Sequence, residues 1–269
     1  MISKKYILIT GGSSGIGKHL AASLLKNNNK VVIASNNQLG LQHAVSELRN
    51  ISPNIFSYFV DVNNTDSVYS LSETLLSEHG CPDILVNCAG FATYRTFEES
   101  PIDEIEQLVG VNLLGAMRCT HSFLPKMIAR GNGSIVNVAS IAGKLVMTPN
   151  GVYSASKHGL VAWSETLKYE LARFNINVSV ICPGRVETAF FDHETFRARA
   201  PRAETQLTIP IEEVSRKAIS AIEKKKFLTF IPSYYGLIIW LVNTFSYFSK
   251  PIYGRLLSSR IEDMYLKKK

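Results

Sequence analysis

The sequence predicts an α/β fold, a doubly wound parallel sheet in a single domain with a C-terminal helical extension. Two patterns carry this prediction. Short apolar runs of the buried-strand type alternate with amphipathic helical patterns over the first 231 residues. Polar, glycine or proline residues also follow the ends of five predicted strands, at Gly11, Asp61, Asn87, Ser140 and Pro183. The carboxyl ends of parallel strands share one edge of the sheet, where ligands bind.

The elements are predicted in the following order. Strands are expected at Tyr6–Thr10, Lys30–Ser35, Ile55–Val60, Ile84–Val86, Ser134–Val138, Asn177–Ile181 and Phe227–Ile231. Helices are expected from the first glycine turn to Lys26, at Leu39–Arg49, from an Asn64 or Thr65 cap to His79, and at Pro101–Ala129, Val152–Phe174 and Pro210–Lys226.

The turn after the first strand is rich in glycine. It reads Thr10-Gly11-Gly12-Ser13-Ser14-Gly15-Ile16-Gly17 and leads directly into a helix. Glycines let a backbone turn tightly against a pyrophosphate, and the helix N-terminus directs free amides at it. A plain glycine-rich loop is the alternative, but the flanking strand and helix favour a Rossmann-type dinucleotide site.

The end of the second strand bears on the choice between NAD and NADP. An acidic residue there would bind the ribose hydroxyls of NAD. The chain reads Ser35-Asn36-Asn37 instead, so no carboxylate repels a 2′-phosphate, although no arginine binds one. We therefore expect NADP(H) rather than NAD(H).

A tyrosine and a lysine lie four residues apart, Tyr153 and Lys157, within a predicted helix. On a helix both side chains project from one face. A free tyrosine titrates near pH ~10, and a neighbouring cation favours the phenolate. This pair alone is weak evidence for catalysis, because the spacing also occurs by chance on helix surfaces.

Together the motifs resemble those of the short-chain dehydrogenase/reductase family over about residues 5–231. The matching motifs, in order, are Thr10-Gly11-x-x-x-Gly15-x-Gly17, Asn87-x-Ala89-Gly90, Asn112, Ser140, Tyr153-x-x-x-Lys157 and Pro183-Gly184. One departure is Cys88, where many members have a second asparagine. The resemblance implies an NAD(P)-dependent oxidoreductase acting on a carbonyl or a secondary alcohol.

The resemblance also implies a role for each catalytic candidate. Tyr153 would be the general acid in reduction and the base in oxidation. Lys157 would lower the pKa of the phenol and hold the nicotinamide ribose, and Ser140 would hydrogen-bond the substrate oxygen. Asn112 resembles the residue that anchors a water leading protons to the lysine.

The expected cofactor contacts extend along the whole edge of the sheet. Asp61 and Val62 resemble the pair that contacts adenine, and Val186 and Thr188 the positions that contact the nicotinamide amide. The full expected set is Thr10, Gly11, Ser13, Ser14, Gly15, Ile16, Gly17, Ser35, Asn36, Asp61, Val62, Asn87, Ala89, Gly90, Tyr153, Lys157, Pro183, Gly184, Val186 and Thr188.

The distribution of charge along the chain bears on whether the protein binds nucleic acid. Residues 1–215 hold 18 Lys+Arg against 19 Asp+Glu, whereas residues 216–269 hold 11 against 3. The excess positive charge is therefore confined to the C-terminal fifth, and we do not expect nucleic-acid binding.

The four cysteines and six histidines show no metal-ligand spacing, so we predict no metal site. No secretory signal is apparent, and we expect a cytoplasmic protein with reduced thiols.

Two segments are expected to face the substrate or a membrane. Residues 189–200, with Phe190, Phe191 and Phe196, are interpreted as a short helix or lid, with Arg197, Arg199 and Arg202 beside it. A solvated charged loop is the alternative.

Residues 232–269 form an apolar and basic extension beyond the catalytic domain of residues 1–231. It is interpreted either as a helix lying in a membrane interface or as a segment packed on the protein.

The predicted function is therefore that of an NADP-dependent carbonyl reductase or alcohol dehydrogenase for apolar, lipid-like substrates, peripheral to a membrane. Similar tails occur in 3-ketosphinganine reductases and in relatives of the 11β-hydroxysteroid dehydrogenases. The family also implies a homodimer or homotetramer through the helices near 102–129 and 152–174. Two alternatives stay open: a soluble reductase of small ketones or 3-oxoacyl groups, and a non-catalytic dinucleotide-binding sensor or scaffold.

Overall fold

The fold is a seven-stranded parallel sheet with helices on both faces, seen in a computed structural model that describes residues 1–188, 190, 194–199 and 208–266. The strands are β1 (Tyr6–Thr10), β2 (Lys30–Ser35), β3 (Ile55–Phe59), β4 (Ile84–Asn87), β5 (Gly133–Val138), β6 (Ile176–Pro183) and β7 (Leu228–Ile231). They pair in the order β3-β2-β1-β4-β5-β6-β7. The strand order reverses between β1 and β4, which creates the crevice that binds ligands in such sheets. The predicted fold class is confirmed.

Ten α-helices lie within the described residues. They are α1 (Gly15–Leu25), α2 (Gln38–Arg49), α3 (Thr65–Glu78), α4 (Ile102–Val109), α5 (Ala116–Arg130), α6 (Gly151–Leu171), α7 (Glu194–Arg199), α8 (Ile211–Glu223), α9 (Tyr234–Thr244) and α10 (Ser246–Leu266). Of the two capping residues considered for α3, Asn64 is the cap, because its side chain accepts a hydrogen bond from the Ser67 amide.

The core consists of two apolar layers, one on each face of the sheet. β1 and β4 are buried throughout, as strands covered by helices on both faces must be. Edge strand β3 differs, because Phe56 and Phe59 remain exposed. A continuous apolar run therefore marks the central strands, whereas the edge strand is partly exposed on both faces, because side chains three residues apart on a strand point to opposite faces.

The helical region after Pro101 is not a single α-helix. Between α4 and α5 lies a π-helical turn, Gly110–Gly115, which contains Asn112. A Cβ at Gly110 would lie 2.0 Å from Asn63 Oδ1, and one at Gly115 would lie 2.9 Å from the Val62 side chain. The two glycines let the turn pack closely on the loop after β3. π-turns inside α-helices frequently occur at functional sites.

The C-terminal extension consists of α9 and α10. A Cβ on Gly236 would lie 3.1 Å from the Phe230 ring, so α9 packs closely on β7. Helix α10 contacts the loop before α6: Thr148 donates a hydrogen bond to the Leu257 carbonyl at 3.0 Å, and the Tyr253 hydroxyl donates one to the Val146 carbonyl at 2.6 Å. None of the helices in the described part of the chain is both long enough and apolar enough to span a bilayer.

Candidate active site

A cleft of about 1040 Å³ runs along the carboxyl edge of the sheet. It brings together most of the residues expected from the sequence. The predicted residues that line it are Gly11, Ser13, Ser14, Gly15, Ile16, Gly17, Ser35, Asn36, Asp61, Val62, Ala89, Gly90, Ser140, Tyr153, Lys157, Pro183, Gly184, Val186 and Thr188. Tyr153 and Lys157 lie on α6, and the other residues lie at or after the ends of six different strands, which the parallel topology gathers at one edge.

The glycine turn between β1 and α1 has the geometry of a phosphate cradle. Gly11 has φ +67°, and a Cβ there would lie 2.8 Å from the Ala89 backbone. A Cβ on Gly17 would lie 2.4 Å from the Gly11 carbonyl oxygen. Side chains at either position would break the contact between the turn, α1 and the β4 loop. The open turn and the α1 N-terminus therefore fit a dinucleotide pyrophosphate.

Three expected residues do not line the cleft but support its wall. Thr10 is buried, and its hydroxyl accepts hydrogen bonds from the amides of Cys88 at 3.2 Å and Ala89 at 3.3 Å. It therefore ties β1 to the loop after β4. The other two wall residues are Asn87 and Asn112.

Asn87 lies in a buried polar network that joins strands to helices. Its amide donates to Thr120 at 3.0 Å on α5 and to Asn137 at 2.8 Å on β5. Asn137 in turn donates to Ser164 at 2.8 Å on α6. The network connects the centre of the sheet to α6, the helix that carries Tyr153 and Lys157. Buried hydrogen bonds of this kind fix the packing of the elements they join.

Asn112 holds the loop after β4 from inside the π-turn. Its side chain donates to the Phe91 carbonyl and accepts from the Phe91 amide, both at 2.9 Å, and donates to Ser156 at 3.2 Å. A Cβ at Gly90 would lie 2.9 Å from Asn112 Oδ1 and 3.4 Å from Lys157 Nζ. Asn112 and Lys157 therefore lie on two sides of Gly90. The Nδ2 and the Oδ1 of Asn112 therefore both bond to protein groups.

The end of β2 carries no acidic side chain. Ser35, Asn36 and Asn37 all line the cleft, and Ser13 donates a hydrogen bond to the Ser35 hydroxyl at 2.9 Å. Asn37 also caps α2 by accepting from the Gly40 amide at 2.8 Å. The serine pair thus joins the glycine turn to the position where the adenosine ribose is expected.

Ser140 and Tyr153 both line the cleft and are joined by a side-chain hydrogen bond. Ser140 ends the β5 segment and caps a short 3₁₀ turn by accepting from the Ala142 amide at 3.1 Å. Tyr153 lies in the first turn of α6, with its ring 5.9 Å from that of Phe190. Burial raises the pKa of Tyr153 to about 12, and the hydrogen bond with Ser140 opposes this rise. The pKa of Tyr153 is therefore raised by burial rather than lowered by Lys157 as expected.

Lys157 is a buried cation. It is 4% exposed, its ammonium donates to the Val138 carbonyl at 3.0 Å, and it lies 5.8 Å from the centre of the Tyr153 ring. Burial lowers the pKa of Lys157 from 10.5 to about 8. At neutral pH the lysine is therefore charged and the tyrosine protonated.

We expect Lys157→Met to stabilise the fold at neutral pH by up to about 3 kcal/mol, the free-energy equivalent of the pKa shift. Below pH 8 both folded and unfolded wild-type chains carry the charge, so burial costs its full amount. Between pH 8 and 10.5 the unfolded chain binds more protons than the folded chain, so wild-type stability rises with pH and the difference shrinks. Urea unfolding across this pH range measures the difference in unfolding free energy between the variant and the wild type, and Lys126→Met, at an exposed lysine, is the control. A variant less stable than wild type at neutral pH would contradict the prediction.

The other end of the cleft is aromatic, and the sequence revealed only part of it. Phe190 and Phe196, expected from the lid segment, line the cleft, and α7 places Phe196 in contact with Tyr94 at a ring distance of 5.5 Å. Tyr94, Met147 and Tyr235 also line this end, and nothing in their local sequence indicated it. Phe191, Arg202 and the side chains of Arg197 and Arg199 lie outside the described residues.

The described residues contain no group of three or more His, Cys, Asp or Glu side chains placed to hold a metal ion. All four cysteines are free thiols, two of them buried. Of the four cysteines, Cys88 lines the cleft, and burial raises the pKa of its thiol to about 11.

The chain is similar in sequence to a known protein family. A family model described as short chain dehydrogenase matches residues 5–197. The ketoacyl reductase HetN of Nostoc sp. is 35% identical over 224 residues, which cover 83% of this chain and 77% of HetN.

Solved structures agree with the sequence comparisons. A short-chain dehydrogenase/reductase from Burkholderia phymatum in complex with NAD superposes with a TM-score of 0.81 at 27% identity, covering 91% of this chain and 95% of the other. A variant of actinorhodin polyketide ketoreductase with NADPH gives a TM-score of 0.80 at 28% identity, covering 88% and 99%. The similar structures thus include complexes with either cofactor.

Proposed function

The chain belongs to the short-chain dehydrogenase/reductase family, and from its cleft we propose that it reduces bulky apolar carbonyl compounds with NADPH. Hydride transfer between a nicotinamide cofactor and a carbonyl or secondary alcohol is the chemistry of the family. One observation carries the choice of substrate: the cleft that contains Tyr153 is also lined by the rings of Tyr94, Phe190, Phe196 and Tyr235. Such surfaces bind apolar groups by excluding water.

The proposed roles follow from the geometry of the chain's own side chains. Tyr153 donates a proton to the substrate oxygen, and its pKa of about 12 keeps it in the protonated form that reduction requires. Ser140 orients that oxygen by a hydrogen bond. Lys157, charged and fixed by Val138, is placed to bind the nicotinamide ribose hydroxyls. When bound, the nicotinamide supplies the hydride.

Asn112 has a positioning role in this proposal. Its Nδ2 donates to Phe91 and Ser156 and its Oδ1 accepts from the Phe91 amide, so three of its four hydrogen-bonding positions hold the protein and one acceptor position remains. Asn112 fixes the loop of Gly90 beside Lys157. Thr10 and Asn87 likewise hold the wall against which the cofactor lies.

The test is a substrate panel. Purified protein would be assayed for NADPH and NADH oxidation with small ketones, 3-oxoacyl thioesters, steroid ketones and 3-ketosphinganine. Activity confined to the long-chain or polycyclic compounds would support the proposal. Activity on small ketones alone would overturn the apolar-substrate assignment while leaving the reaction class intact.

A 3-oxoacyl thioester is the second candidate substrate. The relative HetN is described as a ketoacyl reductase, and actinorhodin ketoreductase as a polyketide ketoreductase. A soluble reductase of this kind would use the extension only for packing. A non-catalytic sensor is disfavoured by the presence of Ser140, Tyr153 and Lys157 together in the cleft, because a protein that only binds nucleotide has no need of all three.

The preference for NADP(H) rests on the end of β2. Asn36→Asp would place a carboxylate at this end of the cleft, where it would repel a 2′-phosphate. We expect NADPH affinity to fall about tenfold or more, with NADH affinity unchanged or improved. Fluorescence titration with each nucleotide measures both. Asn54→Asp, at the opposite edge of the sheet, introduces the same charge as a control, and equal losses for both nucleotides would contradict the NADP assignment.

We propose that the extension of residues 232–269 attaches the protein peripherally to a membrane. Its exposed apolar side chains include Leu237, Trp240, Phe248 and Ile252. Residues 216–269 also carry 11 basic against 3 acidic residues, so the region complements an anionic surface. Residues 1–231 would then act as the catalytic domain.

We also propose an oligomeric state and a cellular location. The family's usual pairing of its two long helices would use α5 and α6, giving a homodimer or homotetramer. A cytoplasmic location, on the inner face of a membrane, agrees with the four free thiols. Sedimentation measurements would report the oligomeric state.

A further inference from the structure

We infer that the C-terminal extension forms part of the substrate-binding cleft, and that Tyr235 determines which substrate sizes are accepted. This inference rests on the proposed function and deepens it. Tyr235 belongs to α9, beyond the last strand, yet its side chain lines the cleft together with Phe190 and Phe196. It is half-buried, and burial raises the pKa of its hydroxyl.

The position of the Tyr235 ring is fixed from two sides. A Cβ on Gly184 would lie 2.9 Å from Tyr235 Cε2 and 3.1 Å from Ile209, so the ring lies directly on the backbone just after β6. On the other side, the ring of Tyr234 lies 4.8 Å away. Because the absence of a side chain at Gly184 leaves room for this ring, the extension reaches the cleft at the end of a central strand.

The start of α9 holds Tyr235 firmly against the sheet. The Tyr235 amide donates to the Pro232 carbonyl at 3.2 Å, and the Gly236 amide donates to the Ser233 carbonyl at 3.0 Å. Lys217 on α8 donates to the Ser233 hydroxyl at 3.2 Å. An aromatic side chain held in this way is a rigid wall rather than a mobile loop residue.

Helix α10 supports a second segment of the cleft lining. Its Leu257 carbonyl and its Tyr253 hydroxyl bond Thr148 and Val146, and Met147 and Thr148 line the cleft. The extension therefore contacts two separate segments of the cleft lining, at Gly184 and at residues 146–148. A tail packed elsewhere on the surface would contact neither segment, and the cleft would then be complete without it.

The chemistry of the wall indicates the ligand. The ring of Tyr235 lines the cleft together with Tyr94, Phe196 and Met147. In this inference these side chains form the surface that contacts the part of a substrate beyond the reacting carbonyl. A short substrate ends before reaching it, whereas a long acyl chain packs on it. Apolar contacts of this size change kcat/KM by about tenfold or more. Tyr235 is thus a specificity-determining residue rather than a catalytic one.

The experiment compares two substrates in the full-length protein, the N-acetylcysteamine thioesters of acetoacetate and of 3-oxododecanoate. For Tyr235→Ala we expect kcat/KM to fall about tenfold with the long thioester and to stay within about twofold with the short one. NADPH affinity should stay within about twofold. Tyr235→Phe keeps the ring and should retain the wild-type ratio, while Tyr69→Ala on α3 controls for the loss of a tyrosine elsewhere.

The outcomes separate this inference from the proposed function. Equal losses with both thioesters, weakened NADPH binding or an unchanged long-to-short ratio in Tyr235→Ala would overturn the role of Tyr235. A wild-type protein that binds NADPH but reduces neither thioester and none of the panel ketones would instead overturn the proposed function. Matching unfolding midpoints for Tyr235→Ala and Tyr235→Phe would establish that the comparison concerns folded protein.

Discussion

Tyr153→Phe is expected to lower turnover by about a thousandfold or more while NADPH affinity stays within about twofold. The substitution removes one oxygen, and with it the group placed to protonate the substrate, an effect within the usual range of general acid catalysis. The ring remains and can keep its contact with Phe190. Steady-state NADPH oxidation measures turnover, and fluorescence titration measures binding.

The control for this loss is Tyr169→Phe, the same change on an exposed tyrosine of the same helix. It should leave turnover and binding unchanged. Residual activity of Tyr153→Phe above about a tenth of wild type would remove Tyr153 from the acid role. In that case the protonated phenol would only shape the cleft, and another donor would have to protonate the substrate oxygen.

The sequence was sufficient to predict the central part of this architecture. Strands such as Tyr6–Thr10 and Lys30–Ser35 are unbroken apolar runs because helices cover both faces of the sheet. Their observed bounds match the predicted ones residue for residue. Tyr153 and Lys157 could be paired from spacing alone, because a helix places residues four apart on one face.

Other features depended on contacts between distant segments. Tyr94 and Phe196 meet across the cleft although about a hundred residues separate them, and no local pattern encodes that contact. The π-turn around Asn112 was predicted as regular helix, since hydrophobic periodicity does not distinguish one extra residue per turn. The pKa values were likewise not predictable from spacing. At Tyr153 the sign of the shift depends on burial, which only the packed structure defines.

The second large effect is expected in the extension. Replacing Trp240 and Phe248 together by serine should reduce binding to vesicles containing anionic lipid by about a thousandfold. The two side chains are 56% and 71% exposed in the structure. Burying each in a membrane interface contributes about 2 kcal/mol, so removing both removes about 4 kcal/mol of binding free energy. Vesicle co-sedimentation over a range of lipid concentrations measures it.

Substitution is a sharper test than truncation at residue 232. Ile239 is buried and Tyr235 lines the cleft, so deleting the extension would also damage the core and the active site. Leu39→Ser with Phe97→Ser removes similarly exposed apolar side chains elsewhere and should leave vesicle binding unchanged.

Salt separates the two contributions to membrane attachment. Binding through Lys250 and Arg255 weakens as ionic strength rises, whereas the contribution of Trp240 and Phe248 persists. Wild-type protein that stays in the supernatant at low salt with anionic vesicles would refute membrane attachment. The apolar face would then be left to pack against a second copy of the chain, and the cleft wall formed by Tyr235 would serve a soluble enzyme.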